Sequence, residues 1–216
     1  MKPAQPNFEI KPQFRTGLEK IIRTCEEEEI DLEDSFFQGE NAANLRIRIM
    51  EVHSCRFEGC RFTDCDFRRL YFRDVLFDNC DLSNLDLSDC TFRRVHFSRC
   101  KLTGTLFVKS VMEDVTFSDS LSDYASFTGS KIKKAAFLKT DFSYSSLQEC
   151  TFKQLTLEEC TFSGTELLHT KLNGLDFTTC EIAGILLSGE ELSGAVVTPM
   201  QAVELSRFLG LKIKYD

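Results

Sequence analysis

The chain has 216 residues, with 34 acidic side chains against 26 basic ones and a formal charge of −8. That balance, with a pI of about 5.1, argues against direct nucleic-acid binding, because a protein that grips phosphates needs a basic surface. No apolar run approaches the roughly 18 residues of a membrane-spanning helix, and the first residues hold no secretory core, so a soluble, cytoplasmic protein is expected.

Residues 1–29 form a segment of their own. Phe14, Leu18, Ile21, Ile22 and Cys25 fall on one face of a helix, which predicts a helix over about 12–24 that covers the open end of the next segment. Glu26 to Glu29 reads as a solvated junction.

From Ile30 to Val197 one residue in five is large and apolar, always in the same phase. Of the 34 positions from Leu32 to Val197 whose numbers end in 2 or 7, 16 are Phe and ten are Leu, out of 20 Phe in the chain. Two residues earlier in each unit the side chain is small, as at Cys55, Cys60, Cys80, Ala125, Ser130 and Thr140. A period of five suits neither a helix nor a long strand. It suits a short extended segment and then a turn, in which the large residue and the small one two places back both point inward. Successive segments then stack like parallel strands into a solenoid. The phase weakens over 38–52. There Glu40 and Ala42 occupy a small and a large slot, and Leu45, Ile47 and Ile49 alternate like an ordinary strand. A second flaw is Ser122: either Ser122 leaves the core thin, or Leu121 turns inward and the backbone bulges.

Residues 198–216 change pattern again. Thr198, Pro199 and Gln201 signal a helix start, and the helix is expected to run to Leu209, with Gly210 after it and a short edge strand over Leu211 to Tyr215. Met200, Val203, Leu205, Phe208, Leu209, Leu211 and Ile213 are more apolar surface than one solenoid end can cover, which marks an interface.

Units such as Cys55-Arg56-Phe57-Glu58-Gly59, Cys60-Arg61-Phe62-Thr63-Asp64 and Cys90-Thr91-Phe92-Arg93-Arg94 closely resemble those of pentapeptide-repeat proteins. The resemblance implies an all-β fold: a right-handed quadrilateral β-helix with four units per coil, about eight coils over 30–197, a helical N-terminal cap and a C-terminal helix. The Cys-polar-Phe units, the length and the terminal Thr-Pro helix ending in Leu-Gly are similar to the Qnr-type, quinolone-resistance group. This similarity implies a binder of DNA gyrase and topoisomerase IV that imitates DNA, and a head-to-head homodimer through 198–216. Some members of that group carry two projecting loops. The unbroken phase here resembles the loop-free members, in which inhibition accompanies binding.

Little in the chain suggests chemistry of its own. All ten Cys fall on numbers divisible by five, and nine fill the small inward slot, so packing in a reducing compartment explains them better than a metal or a disulfide framework. His53, His96 and His169 are scattered, and neither a nucleophile motif nor a Gly-rich phosphate loop is present. The expectation is therefore no enzyme, no cofactor, no metal and no small-molecule substrate. In an unbroken 20-residue coil, the faces centred on Leu32 and Ile47 sum to zero, while the adjacent faces centred on Phe37 and Ala42 sum to −3 each. The latter two carry Asp78, Asp81, Asp119, Asp123, Asp141, Glu158, Glu159, Asp176 and Glu181, with Tyr124 and Tyr144 among them. These are the expected partner-binding residues. A rod of about 40 Å of B-DNA holds roughly 24 phosphates, so such a surface would match DNA in shape and sign rather than in charge density. The alternative is a scaffold solenoid for a different partner, its acidic skin serving solubility alone.

Overall fold

The computed structural model describes residues 2–214. Its chain forms β1 (Gln13–Phe14), α1 (Leu18–Glu27), β2 (Leu32–Glu33), β3 (Ser35–Gln38), β4 (Asn41–Ala43), β5 (Glu51–Glu58) and β6 (Arg61–Thr63). Then come β7 (Tyr71–Asp78), β8 (Thr91–Ser98), β9 (Val111–Ser118), β10 (Lys131–Leu138), β11 (Thr151–Glu158) and α2 (Pro199–Leu205). The long strands from β5 to β11 pair in parallel, each residue with the one 20 places along, as in Val52↔Phe72↔Phe92↔Met112↔Ile132↔Phe152. Elsewhere on the coil the same offset recurs as isolated bridges, such as Asp81↔Lys101↔Leu121↔Asp141. One coil is thus four five-residue units, and the chain is a parallel β-solenoid of about seven turns.

The large in-phase residues make the core. Phe92, Phe97, Phe107, Phe117, Phe127 and Phe137 are fully buried. Along one column Phe57, Phe77, Phe97 and Phe117 stack at centroid spacings of 5.0, 5.2 and 4.8 Å. Rings of adjacent columns meet edge to face, as at Phe92 and Phe97, and so do rings of opposite columns across the core, as at Phe107 and Phe117. Both arrangements suit the ring quadrupole.

The small slot has a second task that size alone does not suggest. Polar side chains there donate to a carbonyl 23 residues back: the Cys80 thiol to Phe57 at 3.4 Å, the Ser130 hydroxyl to Phe107 at 2.6 Å, the Thr165 hydroxyl to Phe142 at 2.7 Å. Cys, Ser and Thr recur because they are the small residues with a donor.

At the first flaw, Leu45, Ile47, Met50 and Val52 all point inward and Ile49 points out, so the five-residue phase holds and the strand expected over 45–49 does not form. Ala42 is small because α1 lies against β4: Leu18, Ile22 and Cys25 are buried there. Glu40 turns its carboxylate to the Leu18 amide and Glu19 accepts from Ala43. At the second flaw, Ser122 is fully buried, Leu121 stays outside and the bridges run on without a bulge. The Ser122 hydroxyl has no hydrogen-bond partner among the described residues.

The N-terminal helix lies later than expected, at Leu18–Glu27 rather than 12–24. Gln13 and Phe14 are taken as a strand by β3, through Gln13 N–H to Asp34 and Arg15 N–H to Phe36, and Gly17 at φ 81 interrupts the chain before the helix. Ahead of β1, residues 3–12 lie along the solenoid as an arm. The Ala4 amide donates to Asp114 and the Asn7 amide to Asp74, two coils apart.

At the other end the ladder stops at β11. Among the described residues none of 171–178 pairs with it. Earlier coils cross this face in wide extended turns. The next coil closes tight ones, through Leu175 N–H to Leu172 and Cys180 N–H to Phe177, and cannot keep their register. The far side of the same coils stays joined through Asp141↔Thr161↔Glu181. The coils therefore part on one side only, and Phe152, Leu155 and Leu157 are half-buried where their column mates are buried.

Helix α2 starts as expected, with the Thr198–Gln201 capping box, and continues as a tight turn to Leu209 before Gly210. It closes the last coil: the Gln201 amide donates to the Phe177 and Cys180 carbonyls and Arg207 to Ile185. No strand forms over 211–214, and Tyr215 lies outside the described residues. Beside the cap, burial opposes the Glu191 charge, but donors from His169, Ser188 and Gly189 outweigh it and hold its carboxyl at about 2.

Candidate protein-binding surface

The arm is held along the face of Asp34, Asp74 and Asp114, and its Phe8, Glu9, Lys11 and Pro12 border Phe36 and Arg56 at the first coils of one of the two acidic faces. Their residues do not form one negative stripe. Down one edge the coils present Arg99, Asp119, Lys139 and Glu159 in turn. Asp119, Asp141 and Glu159 line one open crevice together with Arg99, Lys101, Lys139 and Leu121.

The individual carboxylates differ in what they offer. Asp78 is nearly buried and ion-paired with Arg99 at 2.6 Å, so it presents no free charge; its strand-end position carries it under its neighbour's guanidinium. Burial opposes the Asp81 charge, but Ser83, Lys101 and Arg61 outweigh it and lower its pKa. Asp123 accepts from the Thr103 hydroxyl at 2.6 Å, Asp141 from Ser143 at 2.6 Å, Glu181 from Ser163 at 3.2 Å and Asp176 from Thr178 at 2.6 Å. Each of these keeps an edge toward solvent. Glu158 is exposed at the end of β11.

Tyr124 and Tyr144 stand on this surface as a stacked pair, centroids 5.4 Å apart and 15° from parallel. They are 60% and 61% exposed, with φ of 56° and 57°. The fifth residue of nearly every unit takes this left-handed conformation, which suits Asn, Asp and Gly better than an aromatic residue.

The terminal apolar set divides. Leu205 is buried, and Val203 and Phe208 are half-buried, so these three serve the solenoid's own cap. Met200 and Leu209 are each 76% exposed, and Leu211 and Ile213 are also exposed.

The ten thiols are free and buried. Burial pushes Cys55, Cys90 and Cys150 up to about 12. The Cys150 thiol also donates to the Phe127 carbonyl at 3.1 Å. Because the thiolate is the reactive form, these three thiols in native protein at pH 8 are expected to resist iodoacetamide for hours, whereas Cys180, lowered to about 7 by the Cys160 thiol beside it, is the one expected to label first. Addition of denaturant should expose all ten thiols at once. A mass-spectrometric count of alkylated sites checks both; rapid native-state labelling of Cys55, Cys90 or Cys150 would contradict the burial.

Among the described residues no group of three or more His, Cys, Asp or Glu is placed to hold a metal, and no helix is long and apolar enough to cross a membrane. Two family models match the sequence, a pentapeptide repeat region over 50–127 and pentapeptide repeats in eight copies over 145–182. The chain belongs to the pentapeptide-repeat family. Among solved structures, this pentapeptide-repeat protein is similar to a trypsin-treated form of QnrB1, a plasmid-mediated fluoroquinolone resistance protein. The likeness has a TM-score of 0.56 and 19% identity, over 83% of this chain and 90% of that one. It is also similar to HetL, a pentapeptide-repeat protein involved in heterocyst differentiation regulation from Nostoc sp. strain PCC 7120, with a TM-score of 0.42 and 14% identity over 74% of this chain and 86% of that one. At 19% identity the likeness to QnrB1 is one of fold. A comparison with curated proteins gives no match.

The sequence numbering found the inward and outward sets of this pentapeptide-repeat solenoid, but it missed the pairing of Asp78 with Arg99. It also passed over Gly104 and Gly164, which flank the tyrosines at intervals of 20 residues. That spacing was the signal available.

Proposed function

We propose that this protein binds type II topoisomerases, DNA gyrase or topoisomerase IV, in place of DNA, inhibits them and shields them from quinolones. The observation that carries the reading is the likeness in fold to QnrB1 across 83% of the chain. A second support is the set of solvent-facing carboxylates Asp119, Asp123, Asp141, Glu158 and Glu159 on adjacent faces of a stiff rod. Basic side chains that hold DNA on the partner would meet them, and opposite charge would steer the encounter. The protein acts by contact, in the cytoplasm, without catalysis or cofactor. Two copies join through Met200, Leu209, Leu211 and Ile213, the apolar side chains left exposed beside the cap.

The test is a gyrase supercoiling assay with and without ciprofloxacin. Wild type is expected to inhibit supercoiling, less so as salt rises. The triple variant Asp119→Lys, Asp123→Lys, Glu158→Lys is expected to lose at least tenfold in potency. Unchanged inhibition by that variant rejects the face assignment, and a wild type inert in both assays rejects the reading. The alternating signs along Arg99, Asp119, Lys139 and Glu159 favour one second reading, a scaffold solenoid whose partner carries charge of both signs. For such a protein the gyrase assay stays blank.

A further inference from the structure

The tyrosine pair belongs to a column of fifth residues, one per coil: Asn84, Gly104, Tyr124, Tyr144 and Gly164. Side chains in this column lean toward the following coil. The Asn84 amide lies over Gly104, where an added Cβ would sit 2.5 Å from its oxygen. The Tyr144 ring lies over Gly164, where a Cβ would sit 2.7 Å from the ring. Tyr124 lies over Tyr144, ring on ring. The residue whose side chain would lie over Tyr124 is Gly104, which has none. One rung of the ladder is therefore empty, with an aromatic face below it and the Asn84 amide above. With coils about 4.8 Å apart, the gap between those two side chains spans two rungs, roughly 9.6 Å, and one planar group fits midway.

The surroundings select the planar group. The rung lies next to Asp123, whose Oδ1 accepts from Thr103 at 2.6 Å, leaving its other oxygen free of any hydrogen bond among the described residues. The Asn84 side chain adds a carbonyl oxygen. An aromatic face with a carboxylate and an amide oxygen at its rim calls for a flat cation with several N–H donors. A guanidinium has that shape, and an ammonium does not. We infer that the empty rung over Tyr124 is a slot for an arginine side chain of a protein partner. The inference deepens the proposed function, since it rests on this surface being the one a basic partner meets.

Two experiments separate the slot from that reading. In the first, full-length protein carrying ¹³C-labelled tyrosine is titrated with N-acetyl-arginine amide, and the Tyr124 ring resonances are followed. A saturable shift is expected. N-acetyl-lysine amide should bind about two- to fivefold more weakly, and the uncharged citrulline analogue should give no saturable shift. Gly104→Asn fills the rung with a residue type that already holds the same column and left-handed conformation at Asn84; the Asn84 amide, the end of an outward side chain, must swing aside for the new Cβ, and binding should vanish. Read through the neighbouring Tyr144 ring, which keeps its label, Tyr124→Leu should also abolish binding, whereas Tyr124→Phe should keep it. A shift that never saturates, that survives Gly104→Asn, or that citrulline reproduces overturns the slot. In the second, Gly104→Asn enters the supercoiling assay, where a loss of about fivefold in potency is expected. Full potency there overturns the arginine's role in partner binding. A wild type that does not inhibit gyrase sinks the topoisomerase reading, while the titration still judges the slot.

Discussion

Asp74→Ala is expected to lower stability by about 2–3 kcal/mol and to release the N-terminal arm. Asp74 is 6% exposed and binds Arg94 through two contacts of 2.6 Å each. It also accepts the Asn7 amide at 2.8 Å. Removing it strands Arg94 and an arm amide together. The expected cost lies below the roughly 3–5 kcal/mol of a fully buried pair, because the Arg94 side chain keeps 24% exposure. Burial opposes ionisation of Asp74, but Arg94 and Asn7 outweigh it and hold its pKa below the ordinary value. The sign comes from linkage. A carboxyl with a depressed folded pKa contributes its full stability above the unfolded value of about 3.9 and loses it as the pH falls through the folded one. The gap between wild type and Asp74→Ala in urea melts should thus be constant at neutral pH and narrow on acidification below about pH 4. Arm release has its own readout, faster hydrogen exchange at the Ala4 and Asn7 amides. Protection unchanged at both amides in the variant would mean that Asp74 does not anchor the arm.

The arm also marks where sequence reasoning ends. The five-residue beat names the inward set because a solenoid makes the same local choice in every unit, and Phe57, Phe77 and Phe97 need no distant information to stack. The arm has no such periodicity. Its position depends on Asp74 and Asp114, 67 and 110 residues away from the amides that they bind. For the same reason Phe14 reads as one more apolar residue of the helical stripe, yet it stands 61% exposed beside a strand. Ala42 and Glu40 read as flaws because the helix that compensates for them lies outside the repeat. The candidate surface divides in the same way. Outward positions are given by the numbering, but whether a carboxylate is free depends on its neighbour 20 or so residues on, as Asp78 and Arg99 show. The seam after β11 is hidden more deeply. Leu172, Leu175 and Phe177 keep the inward phase, and only the change from wide to tight turns parts the backbones.

That seam makes a comparison of two phenylalanines decisive. Phe117→Ala is expected to cost about 3–5 kcal/mol and Phe152→Ala about 1–2 kcal/mol, although both fill the same kind of slot. Phe117 is fully buried, stacked on Phe97 at 4.8 Å and edge-on to Phe107 and Phe127. Its truncation leaves a cavity in mid-rod, walled by rings that the coils above and below hold in place. Phe152 stands at the open side, half-buried, where solvent already reaches and a smaller side chain leaves less of a void. Stability in a solenoid is close to a sum of neighbour terms, so the position of the loss matters as much as its size. Phe117→Ala should divide one cooperative urea transition into two, one for the coils on each side of residue 117. Phe152→Ala should leave a single transition, shifted slightly, because the coils at the seam are already joined on one side only. Equal losses for the two variants would show that the coils close over Phe152 in solution, and the parting of the backbones after β11 would have to be given up.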